Sequence, residues 1–213
     1  MVRGVRTPTA PGPRHAAAAA LAALLGAALW WRRHPSACPY GQRFFVEAPH
    51  PFITRRRLHE VLEAQPGERL LEVGPGTGYY TLEVAERLGA DGRLDILDVQ
   101  QEMLDHTMRA AGRRRLANLH PLQGDATSLP YPDAAFDAAY LVTVLGEIPD
   151  QAAALRELRR VLRPSGRLVV GEVLLDPHVV TFSRLRERAQ AAGLRHQRHS
   201  GGRLGYFARF VPA

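Results

Sequence analysis

The 213-residue chain is predicted to fold as an α/β protein with a doubly wound sheet and helices on both faces, on three observations. Strand-like apolar runs alternate with helix-period segments from about residue 69 to residue 192, the order that builds a parallel sheet. One of those runs, Leu70-Leu71-Glu72-Val73, feeds directly into a glycine turn, Gly74-Pro75-Gly76-Thr77-Gly78, and then into a helix. Hydrophobic residues make up 46% of the chain, which suffices to fill a core in one domain of ordinary size plus an extension.

The extension comes first. Residues 1–34 form a basic leader around Ala16–Trp31, an uncharged stretch bounded by Arg14-His15 and Arg32-Arg33-His34. As a helix it would reach roughly 24 Å, short of a ~30 Å hydrocarbon core. Trp30-Trp31 followed by two Arg is nevertheless an interfacial pattern, so residues 16–31 are expected to associate with a membrane. The alternatives are a cleaved signal peptide, which fits worse because Trp and Arg follow the apolar run, and a helix packed on the soluble domain. Arg32, Arg33, Arg43 and Arg55–Arg57 outnumber Arg3, Arg6 and Arg14, which places the downstream domain on the cytoplasmic side.

The net charge of +7 does not survive division along the chain as a nucleic-acid signal. Residues 1–57 carry nine Arg against one acid, a net +8, whereas residues 58–213 carry nineteen Arg against twenty acids, a net −1. The folded region is close to neutral, so no nucleic-acid partner is expected. The single cysteine, Cys38, excludes an intramolecular disulfide framework and a multi-cysteine zinc site, and no metal is expected.

Residues 35–66 read as a linker followed by a cap helix. Pro35, Pro39, Pro49 and Pro51 keep the first part from being helical. Residues 52–64 then have amphipathic spacing in Ile53, Leu58, Val61 and Leu62, ended by Pro66-Gly67. Phe44, Phe45, Phe52 and His50 are candidates for a substrate pocket, with plain packing the alternative for each. Strands follow near 69–73, 93–98, 118–122, 136–142 and 167–173, with helices near 79–88, 101–111, 151–162 and 181–192. Two closing strands, near 194–199 and 204–211, flank a turn at Gly201-Gly202.

The glycine spacing favours one kind of ligand. A dinucleotide turn reads G-x-G-x-x-G, seating a pyrophosphate on the helix N-terminus, but here the spacing is G-x-G-x-G. Glu72, two residues before the first glycine, would repel a phosphate and attract an ammonium group. Asp98, at the end of the second strand, can accept hydrogen bonds from both ribose hydroxyls. Its alternative role is a helix N-cap.

At this point the chain resembles the class I S-adenosylmethionine-dependent methyltransferases over roughly residues 67–210. Residues 71–78 look like the family's first motif, Asp98 like its ribose acid, and Gln123-Gly124-Asp125-Ala126 like the segment beside the adenine. Residues 136–142 resemble the fourth strand, and residues 158–168 the helix, turn and fifth strand. The resemblance implies a Rossmann-like, seven-stranded sheet, mostly parallel with one antiparallel strand, in a domain spanning 67–213. S-adenosylmethionine is the implied donor. Gly74, Gly76 and Gly78 would shape the methionine side, Glu72 would orient the amino group, and Asp98 would hold the ribose. Val99 and Met103 would flank the adenine, with Asp125 and Ala126 on its ring edge. Asp125 is alternatively a turn residue.

Methyl displacement needs alignment more than a dedicated base. Thr143, Glu147 and His50 are the catalytic candidates, with Tyr79 near the donor. Many relatives carry a His near the position of Glu147, so this chain departs from the family there. The residues after the fourth strand, Val142–Asp150, look most like the branch that methylates quinones and lipids, and a small apolar acceptor is expected. A donor-binding protein without turnover, a nucleic-acid methyltransferase and an NAD-linked oxidoreductase are the competing readings.

Overall fold

A computed structural model describes residues 36–42, 44 and 50–213, together with isolated positions 22 and 26. Apart from those two positions, the segment 16–31 lies outside the described residues, as does Phe45. Among the described residues no helix is long and apolar enough to cross a membrane. Ser36–Ala213 forms one compact unit.

The strands are β1 (Arg69–Val73), β2 (Arg93–Asp98), β3 (Leu119–Gln123), β4 (Phe136–Val142), β5 (Leu162–Val173), β6 (Leu194–Gly202) and β7 (Gly205–Pro212). The helices are α1 (Arg55–Leu62), α2 (Thr81–Leu88), α3 (Gln101–Arg113), α4 (Gln151–Val161) and α5 (Phe182–Ala191). The sheet order is β3-β2-β1-β4-β5-β7-β6. Neighbours are parallel as far as β5, and β7 runs antiparallel to both β5 and β6. The expected seven-stranded Rossmann-like sheet with one reversed strand is the fold observed.

The alternation of side chains along a strand divides the core between two faces. Leu71 and Val73 of β1 pack with Leu155 and Leu158 of α4 and Leu185 of α5. Leu70 lies on the other face with Leu58 and Leu62 of α1, Val84 and Leu88 of α2, and Leu104 and Ala111 of α3. Both faces of β1 are therefore covered, which is why it reads as a nearly continuous apolar run.

Several boundaries differ from expectation, among them that of β5, which begins at Leu162 and not near 167. α1 is shorter than 52–64 because Thr54 caps it, its side chain accepting from the Arg57 amide at 3.3 Å. Gly201 and Gly202 lie inside β6, and Gly202 pairs with Gly205, leaving Arg203-Leu204 as the turn. A Cβ on Gly201 would stand 2.3 Å from the Gly205 carbonyl, so the glycine serves a close backbone approach.

Candidate functional site

The two-residue period of β1 puts Glu72 on the same face as Leu70, opposite Tyr140 of β4 and Ile96 of β2. Glu72 is only 2% exposed, and among the described residues its Oε2 has no hydrogen-bond partner. Burial pushes its carboxyl up to about 7, the hydroxyls of Thr81 and Tyr140 draw it down, and the Asp98 carboxylate pushes it up again. Neither hydroxyl makes a well-formed bond to it, and both lack a partner elsewhere. A buried acid with an orphaned oxygen is a socket for a hydrogen-bond donor.

The turn that follows is built from left-handed backbone, with φ of 69° at Gly74, 57° at Gly76 and 87° at Gly78. A side chain at Gly74 would also collide with Val144, whose Cγ2 lies 2.4 Å from the Cβ position. The turn is pinned on both sides. The Gly74 amide donates to the Leu97 carbonyl at 2.8 Å, and Thr107 Oγ1 donates to the Gly76 carbonyl at 2.9 Å.

Asp98 closes β2, the strand beside β1, so its carboxylate stands next to the glycine turn. It is buried, which raises its pKa, while the amides of Gln100, Gly76 and Val99 lower it. The cap position of α3 belongs to Gln100, and Asp98 Oδ1 accepts from the Gln100 amide at 2.9 Å. Val99 is 50% exposed beside it, an apolar side chain left uncovered at the rim, whereas Met103 is buried. Asp125 is exposed and its Oδ1 accepts from the Thr127 amide at 2.8 Å, so the turn role holds for that oxygen. Ala126 is buried.

At the end of β4 the backbone of Thr143 turns left-handed, φ 56°. For a β-branched residue that conformation is strained. Its amide donates to the Gly171 carbonyl at 2.8 Å and its hydroxyl to the Val142 carbonyl at 2.7 Å. Glu147 follows in a short 3₁₀ turn, Leu145–Glu147. Burial and the Asp176 carboxylate push its pKa up to about 8, against the Cys38 amide, which donates to its Oε2 at 3.3 Å. Glu172, 1% exposed, belongs to the same acidic group, its Oε1 without a hydrogen-bond partner among the described residues and its pKa raised by burial.

His50 packs against Tyr79 and Tyr80 at the start of α2. Tyr80 donates its hydroxyl proton to the Ile53 carbonyl at 2.6 Å, so His50 Nδ1 is the donor in its 3.0 Å bond to that hydroxyl. The ring also meets Tyr79 edge-on at 4.7 Å. Phe52 is half-buried and Phe44 exposed. Among the described residues no His, Cys, Asp or Glu group could hold a metal ion.

Sequence reasoning missed several members of this neighbourhood: Thr81 and Tyr140 around Glu72, Glu172 and Asp176 near Glu147, and Gln100. Only Gln100 carried a signal, since Gln is a poor N-cap and another use for its side chain is implied.

The socket at Glu72, the left-handed turn and the Asp98 carboxylate fit a donor with an ammonium end and a ribose. Comparison with known proteins agrees. Residues 71–170 match the family described as "Methyltransferase domain". The demethylmenaquinone methyltransferase of Beutenbergia cavernae is 38% identical over 125 residues, covering 59% of this chain and 49% of the relative. The ubiquinone/menaquinone biosynthesis C-methyltransferase UbiE of Vibrio campbellii is 37% identical over 123 residues, covering 54% and 46%. The chain thus spans about half the length of the curated relatives it matches. A SAM-dependent methyltransferase from Aquifex aeolicus shares the fold, with a TM-score of 0.76 at 20% identity, covering 83% of this chain and 100% of that one. Fold, turn and relatives agree: residues 71–170 are similar to the methyltransferase-domain family, on a fold shared with a SAM-dependent methyltransferase.

Proposed function

We propose that the chain transfers a methyl group from S-adenosylmethionine to a small, apolar, quinone-like acceptor at a membrane surface. The observation that carries the donor half is the buried, unpartnered Glu72 oxygen at the end of β1, beside the left-handed turn and Asp98. Glu72 takes the ammonium group, the left-handed backbone of Gly74, Gly76 and Gly78 shapes the methionine side, and Asp98 takes the ribose. Val99 and Met103 flank the adenine, with Asp125 and Ala126 along its edge.

The donor brings a methyl group already activated on a sulfonium, so the protein must orient the acceptor, exclude water and receive a proton. Glu147 and Thr143 follow β4, the other neighbour of β1, and so face the donor from the side opposite Asp98. Glu147 is the candidate proton acceptor. His50 lines the entrance with Tyr79, and the segment 35–66 caps the domain 67–213.

The acceptor class rests on two supports. The relatives' names are those of quinone methyltransferases. Leu174, Leu175 and Leu204 are exposed at the carboxyl end of β5 and the neighbouring turn, where the Leu174 amide donates to the Leu204 carbonyl at 3.0 Å. With the leader 1–34 they favour an acceptor that partitions into lipid, and a domain at the cytoplasmic face. The test is transfer of labelled methyl groups to a bacterial membrane extract. Label in organic-soluble species supports the reading. Donor binding with no labelled acceptor in any fraction would instead favour a donor-binding protein without turnover.

A further inference from the structure

Residues 36–42 make three sets of contacts that no periodicity of the sequence announces. Gln100 Nε2 donates to the Cys38 carbonyl at 2.9 Å, and the Tyr40 amide donates to Gln100 Oε1 at 3.2 Å. One side-chain amide thus engages the strap through both its donor and its acceptor, as a neighbouring β-strand would. On the same side, Tyr40 Oη lies 3.2 Å from His106 Nδ1 of α3. On the other side, the Cys38 amide reaches Glu147 Oε2 at 3.3 Å.

The topology says what lies beneath. Gln100 follows β2 and Glu147 follows β4, and β1 lies between those two strands. A segment bonded to both therefore crosses the end of β1, where the glycine turn begins. Gln100 is also tied to the site from below, since its backbone amide donates to Asp98 Oδ1 at 2.9 Å. At the cap position of α3 its side chain makes no cap bond. A Ser, Thr, Asp or Asn there would cap the helix better, yet none of them is long enough to grip a strap in this way.

We propose that Gln100 is a positioning residue, the clasp that holds residues 36–42 closed over the donor site, and that the donor and its demethylated product exchange when the clasp opens. This rests on the donor reading of the glycine turn. Closure excludes water from the methyl group, and opening governs the rate of product release.

Cys38 gives a direct probe, because it is the only cysteine in the chain and lies half-buried in the strap. The full chain is labelled with a neutral maleimide, with and without S-adenosylhomocysteine, and product dissociation is followed by stopped flow. In the parent protein S-adenosylhomocysteine should slow labelling. Gln100→Ala should label on the order of tenfold faster and release the product on the order of tenfold faster, the expected result of losing two hydrogen bonds. Gln100→Glu keeps the acceptor for the Tyr40 amide but sets a carboxylate against the Cys38 carbonyl, and should also open the strap while preserving side-chain length. Calorimetry separates the two layers of the argument. If S-adenosylhomocysteine fails to bind the parent protein, the donor reading is wrong. If it binds, and labelling and release are the same in the parent and both Gln100 variants, the clasp is refuted.

Discussion

Glu72 has opposite consequences for the free and the donor-bound protein. Burial raises its folded pKa from 4.5 to about 7. In that window the unfolded chain gives up the proton while the folded chain keeps it, so stability falls as pH rises, and the loss is complete above the folded pKa. At about 1.4 kcal/mol per tenfold change, the cost is on the order of 3 kcal/mol. Glu72→Gln should therefore melt higher than the parent protein at pH 8, with the advantage gone at pH 4, in thermal unfolding followed by circular dichroism. The same variant should bind S-adenosylmethionine roughly ten- to a hundredfold more weakly, since it removes a charged partner from an ammonium group. Glu147 makes a separate prediction. With its pKa raised to about 8 it holds a proton at neutral pH, so as proton acceptor it should make kcat rise through pH 8. Glu147→Gln should flatten that profile and lower kcat at pH 9 by at least about a hundredfold, while donor affinity measured by calorimetry stays put.

At the level of elements, three arginines from the sheet, Arg167, Arg198 and Arg209, bind the carboxyl end of the cap helix, and Arg167 is the buried one. Arg167 of β5 is buried, grips both carboxylate oxygens of Glu68 at 2.8 and 2.6 Å, and donates to the Leu62 and Glu63 carbonyls at the end of α1. Arg167→Ala would leave a carboxylate and two helix carbonyls unpaired, a loss of about 3 kcal/mol that should appear as a lower urea midpoint. The strands and central helices were legible because period and burial agree there: β1, β2 and β4 are apolar runs ending at Gly74, Asp98 and Thr143, and each is covered on both faces. Glu72 and the three glycines could be placed together from the sequence because strand, turn and helix are contiguous there. The β6–β7 turn was misplaced because pairing with β5 fixes β7's register, which overrides the local Gly201-Gly202 signal. Gln100 and Asp176 escaped because their partners, Cys38 and Glu147, lie far away in sequence and follow no period.

Along the chain, charge is unevenly divided. The net positive charge belongs to positions 1–57, where nine Arg face one acid, and the exposed leucines 174, 175 and 204 gather where β5 and the β6–β7 turn end. Under the proposed function both features meet a lipid surface. Truncation to residues 36–213 should move the protein from the membrane fraction to the supernatant, whereas a full chain that stays in the supernatant would remove the membrane part of the proposal. The donor site does not depend on that outcome. Its most direct test is calorimetric titration of S-adenosylmethionine into the full chain in buffers of differing ionisation enthalpy at pH 6.5. Ionisation of Glu72 against the donor's ammonium predicts saturable binding with release of a fraction of a proton, and release abolished in Glu72→Gln. Absence of binding, or binding with the same proton release in the variant, would contradict it.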